Sequence, residues 1–259
     1  MIKTNFSIAQ KICLAGILIV MVAIFQKVFA INYIPVVPFV RISFGGCALI
    51  ILSSVLLGPW FGLLIGAMSD LIGFFIFDPR MFGSMPFLQI TAIYALLGFA
   101  SYYVFKLVSL IKSKRIIYIV EGLIFGTIFI VVTLFFAFTN SISLYGQTYD
   151  ISVLAKIVIP IFILILLSVL FITIIVIDKK RKFDATFLSI PHISFAAFIL
   201  EISVILIFGS IMKAWAFSSS TFFAIFIAQL LVAFINIPIN TLLISLFFKI
   251  FDRYRLLKK

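Results

Sequence analysis

Apolar residues run on in this chain far beyond the three or so turns of an ordinary globular helix, and short stretches rich in Gly, Pro, Asn or charge interrupt them. A helix crosses the hydrocarbon of a bilayer with about 20 apolar residues and satisfies its own backbone there. Eight runs approach or exceed that length: Ile8 to Ala30, Ile42 to Leu57, Pro59 to Phe77, Pro86 to Leu110, Ile116 to Phe138, Val153 to Ile177, Ile193 to Met212 and Thr221 to Phe251. Only Gly58-Pro59 separates the second from the third. A Gly that ends one helix before a Pro that starts the next predicts a tight helical hairpin. The first run, with Lys3 and Lys11 near its start and Val28-Phe29-Ala30 at its end, has the outline of an export signal. Seven further runs need no such signal, so it is expected to remain as a span. The pattern predicts an all-α polytopic membrane helix bundle of about eight transmembrane helices. It forms a single integral membrane domain over 1–259, with four helices in 1–111 and four in 112–259.

Composition narrows the picture. The chain is 65% hydrophobic and 11% charged, whereas soluble domains are about half apolar and one quarter charged. Its 20 Lys and Arg against 8 Asp and Glu give a net charge of +12. In a soluble domain that excess would suggest nucleic acid, but basic-patch recognition needs a folded polar domain, and none is present. An even span count instead sorts the cations by face. Lys3, Lys11, Lys106, Lys112, Lys114, Arg115, Lys179, Lys180, Arg181, Lys182, Lys249, Arg253, Arg255, Lys258 and Lys259 share the side of the termini. Lys27, Arg41, Arg80, Lys156 and Lys213 fall on the other. Cytoplasmic segments carry the Lys/Arg excess, so both termini are expected in the cytoplasm of a multi-pass cell (plasma) membrane protein. Cys13 and Cys47 sit inside apolar runs, His192 is the single histidine, and no G-x-x-x-x-G-K-[ST] occurs. No metal site, cofactor, catalytic set or ATP-hydrolysing P-loop is therefore expected.

A carboxyl at bilayer depth costs about 2.5–3.5 kcal/mol on insertion scales and marks a contact or function. Asp70 lies midway along the third run, with Gly62, Gly66 and Gly73 on the same face. Small residues there let a neighbouring backbone approach, and Asp70 either hydrogen-bonds that neighbour or binds a ligand or proton. Glu201 has similar depth in the seventh run, whereas Glu121 is expected to sit shallowly as a solvated partner of Lys114 or Arg115. Glu121 with Pro160 and Glu201 with Pro238 make a weak internal echo. Ala9, Cys13, Gly16, Val20 and Ala23 form a small-residue stripe on the first helix, which either packs within the bundle or docks a partner membrane protein. On the sparsely charged face, Lys27 and Arg41 flank Ile31 to Pro38, and Arg80 lies in a second Pro-containing loop. Arg in stiff loops beside aromatics suits capture of an anionic, partly aromatic solute; headgroup anchoring is the alternative use. The polar stretch Thr139 to Ser152 is expected to be a structured outer loop.

Arg41-Ile-Ser-Phe-Gly45, followed by Leu57-Gly58-Pro59-Trp60-Phe61-Gly62 and on through Gly66, Asp70 and Gly73, resembles the substrate-binding (S) component of energy-coupling factor (ECF) vitamin transporters, most closely the folate type. Phe82 to Thr91 and Ala95 to Gly98 are similar to that family's third outer loop and fourth helix, and Asn140 to Gly146 to a later outer segment. The resemblance implies a vitamin-binding pocket open to the outside, with Arg41 and Arg80 pairing carboxylates and Phe82, Gln89, Asn140 and Tyr145 lining the ring pocket. Ala9, Cys13 and Gly16 stand where the family docks its scaffold. The implied partners are folate or a related anionic vitamin, a membrane scaffold (T) subunit and two ATPase (A) subunits. Six spans are usual in the family, so one of the helix pairs here is extra, and roles for Lys156, Lys213, Asn236 and Asn240 do not carry over. Two alternatives accompany this expectation. One is an S component for another vitamin such as riboflavin or thiamine. The other is a self-contained secondary transporter with Asp70 and Glu201 as a proton relay.

Overall fold

The computed structural model describes residues 3–4, 6–31, 42–43, 45–77, 88–111, 113–144, 147–179, 189–216, 222–253 and 257–258. Helix α1 spans Ile8–Lys27 and opens with a capping box in which Ser7 and Gln10 satisfy each other's backbone N–H groups. It is followed by α2 (Gly46–Leu57), α3 (Pro59–Phe77), α4 (Leu88–Val108), α5 (Lys114–Phe138) and α6 (Val153–Lys179). Next, α7 (Ile190–Leu200) runs through a π-helical segment, Glu201–Phe208, into α8 (Gly209–Ala216), and α9 (Phe222–Arg253) closes the bundle.

Seven of these units are long and apolar enough to cross a membrane, with α7, the π segment and α8 counting as one. Their outward faces carry apolar side chains such as Ile12, Leu123, Ile130, Phe138, Ile161, Ile165 and Ile172. An apolar exterior around an apolar interior requires a hydrocarbon solvent: this is a multi-pass membrane protein built as a helical bundle.

The second apolar run departs from expectation. Ile42–Ser43 pairs in antiparallel β fashion with Ala30–Ile31, and the helix begins only after Gly45, whose φ of 90° suits a residue without a Cβ. The resulting α2 has 12 residues, about 18 Å of helix, and all of them are buried, among α1, α3, α4 and α9. It is a central strut that meets protein on every side. Gly58, with φ 106°, then turns the chain into α3.

Two ends of the bundle follow from the contacts. Lys3–Thr4 pairs antiparallel with Leu257–Lys258, bringing the two ends of the chain together. Phe105 of α4 meets Phe248 of α9 near this terminal end, and His192 at the start of α7 bonds the Ile111 carbonyl just after α4. At the opposite end lie the Ala30–Ile31 and Ile42–Ser43 pair, the end of α3, the start of α4 and the Phe135–Phe223 ring stack between α5 and α9. There too the expected structured segment after α5 is a β-hairpin, Ser141–Leu144 with Gln147–Asp150.

Candidate functional site

The glycines of α3 let it approach α4 backbone to backbone. A Cβ built on Gly66 would overlap the Tyr94 carbonyl, and one on Gly98 would overlap the Gly62 carbonyl. Gly62 faces both Gly98 and Ser54 of α2, so Gly62, Gly66 and Gly98 together remove the steric layer that normally separates two helices. Gly73, one turn beyond Asp70, serves a different neighbour. A Cβ there would stand 2.9 Å from Cε of Lys27 and 3.0 Å from its Cγ, so its absence leaves the channel through which the lysine stem runs.

That lysine explains Asp70. Lys27 Nζ lies 3.5 Å from Asp70 Oδ1, both side chains less than one tenth exposed, and Thr91 Oγ1 donates to Asp70 Oδ2 at 2.8 Å. One carboxylate thus clasps the end of α1, the second half of α3 and the first turn of α4. A buried carboxylate is tolerated when an opposite charge and a further donor face it. Lys27, which ends α1 beside the connection it was expected to flank, has its side chain buried as the partner of Asp70.

The expected binding residues divide by what the structure describes. Arg41, Arg80, Phe82 and Tyr145 lie outside the described residues. Gln89 is half-buried in the first turn of α4, two positions before Thr91. Asn140 is exposed at the mouth of the β-hairpin, where its Oδ1 accepts from Lys156 Nζ at 2.7 Å. Ala9, Cys13 and Gly16 all face outward from α1 with Val20, and beyond the adjoining helix backbone no described residue lies within 4 Å of a Cβ placed on Gly16. Ala23 departs from the stripe; it is fully buried where Gly73 of α3 comes against it.

The last helices hold polar groups that sequence reasoning placed poorly. Glu121 is a correction: it is fully buried, with no hydrogen-bond partner for either carboxyl oxygen among the described residues. Lys114, its expected partner, bonds Asp178 at 2.8 Å, and Tyr118 donates to the same carboxylate at 3.0 Å. Seven residues into α5, Glu121 turns toward Ser194 of α7, and four residues farther on Phe125 meets Phe198 in the same register. Glu201, at the head of the π segment, accepts from Asn236 Nδ2 at 3.2 Å and Asn240 Nδ2 at 3.4 Å, all three residues buried. The signal for this cluster was present in the 236/240 spacing, which puts both amides on one face of α9.

An apolar cavity of about 270 Å³ lies between α6 and α9, lined by Phe162, Leu166, Thr173, Phe234 and Pro238 among others. Such walls suit hydrocarbon rather than an anionic solute. Among the described residues no group of three His, Cys, Asp or Glu is placed to hold a metal ion. No protein-family model, curated protein or solved structure matches the chain.

Proposed function

We propose that the chain is the substrate-binding component of an ECF-type ABC importer, taking up an anionic vitamin, folate as the first choice. Eight traverses carry it through the plasma membrane, α2 being a short traverse sheathed in protein, with both termini in the cytoplasm. The pairing of Lys3–Thr4 with Leu257–Lys258 supports an even count, and the Lys/Arg excess on the terminal side supports the orientation.

The observation that carries the reading is the arrangement around Asp70. The Gly-Pro-Trp-x-Gly-x-x-x-Gly…Asp stretch makes α3 both the glycine seam with α4 and the carboxylate that anchors α1 and α4. A loop-built pocket needs such a rigid floor, because binding residues on loops are only as well placed as the scaffold beneath them. On this floor Arg41 and Arg80 pair the vitamin carboxylates as bidentate donors, while Phe82, Gln89, Asn140 and Tyr145 surround its rings. Ala9, Cys13 and Gly16 on the exposed face of α1 meet the scaffold subunit, and two ATPase subunits supply the energy. Mass spectrometry of small molecules retained on the gently purified chain tests the assignment: folate or a close relative is expected, and a neutral or cationic solute in its place refutes it.

A further inference from the structure

Two carboxyl groups in the last helices have no place in that mechanism. We propose that Glu121 and Glu201 are each a reversible proton-binding site inside the membrane. The proposal goes beyond the vitamin reading and stands or falls separately from it.

The geometry at each carboxyl accommodates both protonation states. Glu201 now accepts from the Nδ2 groups of Asn236 and Asn240, the arrangement a carboxylate requires. Asn236 Oδ1 beside it is buried and has no partner among the described residues. When Glu201 takes a proton it gains an O–H donor, and rotation of the Asn236 amide by half a turn presents Oδ1 to receive it. A purely structural contact needs only the donor half of that amide. Glu121 faces the Ser194 hydroxyl, and neither group closes a hydrogen bond among the described residues. A hydroxyl is donor and acceptor at once, so it can serve a carboxylate by donating and a carboxylic acid by accepting. Ser194 and Glu201 are seven residues apart on one face of the same helix, about 10 Å along its axis. Glu201 also opens the π segment, a geometry that is rare in proteins and concentrated at functional sites.

Asp70, paired with Glu201 as a proton relay only in the alternative transporter reading, is committed to Lys27 and Thr91. Among the charged groups on the surrounding elements, Lys213 of α8 interacts electrostatically with Glu201. Asp178 is held by Lys114 and Tyr118, and His192 by Ser189 and the Ile111 carbonyl. Lys106 of α4, Arg115 of α5, Lys179 of α6 and Lys249 of α9 lie toward the terminal end, and Lys156 of α6 toward the other. The chemistry is one proton per carboxyl: each carboxylate forms one O–H bond with a proton taken from bulk water and breaks it when the proton returns, with no change of oxidation state.

Infrared difference spectroscopy on the full-length protein in lipid nanodiscs, cycled between acidic and alkaline buffer, tests this. Wild type is expected to show reversible protonated-carboxyl bands, of which Glu201→Gln loses one and Glu121→Gln another, while Asp178→Asn keeps both. Asn236→Leu, which retains both carboxyls, is expected to displace the midpoint of the Glu201 band. Bands that survive both glutamate substitutions, a wild type with no reversible carboxyl band, or an unmoved midpoint in Asn236→Leu overturns the proposal. Because no vitamin enters the measurement, its outcome is independent of whether folate binds.

Discussion

Replacing Asp70 by Leu strands the Lys27 ammonium in the bundle. At the observed 3.5 Å, two unit charges attract by roughly 5 kcal/mol at an effective dielectric of about 20. Desolvation of the two ions offsets most of that gain, so the intact pair adds little to net stability. Half a pair is a different matter: an uncompensated buried charge costs about 3–5 kcal/mol. Asp70→Leu and Lys27→Met are each expected to destabilise by about that amount, with loss of the Thr91 bond adding about 1 kcal/mol to the former. The double variant exchanges an ion pair for apolar groups of similar size and should return to within about 1 kcal/mol of wild type. Unfolding in mixed micelles of rising SDS fraction, followed by circular dichroism, gives the four corners of the cycle. Single variants within about 0.5 kcal/mol of wild type, or a double variant equal to the sum of the singles, would refute the clasp.

Other consequences concern packing and binding. Gly98→Val drives a side chain into the Gly62 carbonyl and should destabilise the bundle by about 1–3 kcal/mol, seen as a lower midpoint in the same micelle titration. A Cβ at Gly16 meets no described residue beyond its own helix, so the melting curve of Gly16→Val should match wild type, while co-purification with the scaffold subunit is lost if the exposed face of α1 docks there. Arg41→Ala/Arg80→Ala should weaken folate binding by at least tenfold in equilibrium titration; unchanged affinity removes the carboxylate pairing from the account.

The spans were legible because a bilayer demands long apolar runs, and long runs survive any uncertainty at their ends. The second run misled by its length. Ile42 and Ser43 are as apolar or as small as the helix that follows, and only the positive φ at Gly45 and the β pairing with Ala30–Ile31 separate them from it. The seam of Gly62 and Gly66 was readable from spacing alone. What Asp70 binds was not, since Lys27 is 43 positions away and its sequence neighbours give it the look of a loop cation. Glu121 failed for a related reason: closeness to Lys114 and Arg115 along the chain suggested solvent, yet seven residues of helix turned it onto α7 and left Lys114 to Asp178. Partner choice among buried polar groups is set by tertiary packing, which local pattern does not encode.

Uptake by proteoliposomes tests the central claim most directly. The purified chain alone should bind folate and accumulate none under any ion gradient, and ATP-dependent accumulation should begin only when the scaffold and ATPase subunits are added. Accumulation by the chain alone, driven by a proton or sodium gradient, would contradict the account and make the protein a self-contained transporter.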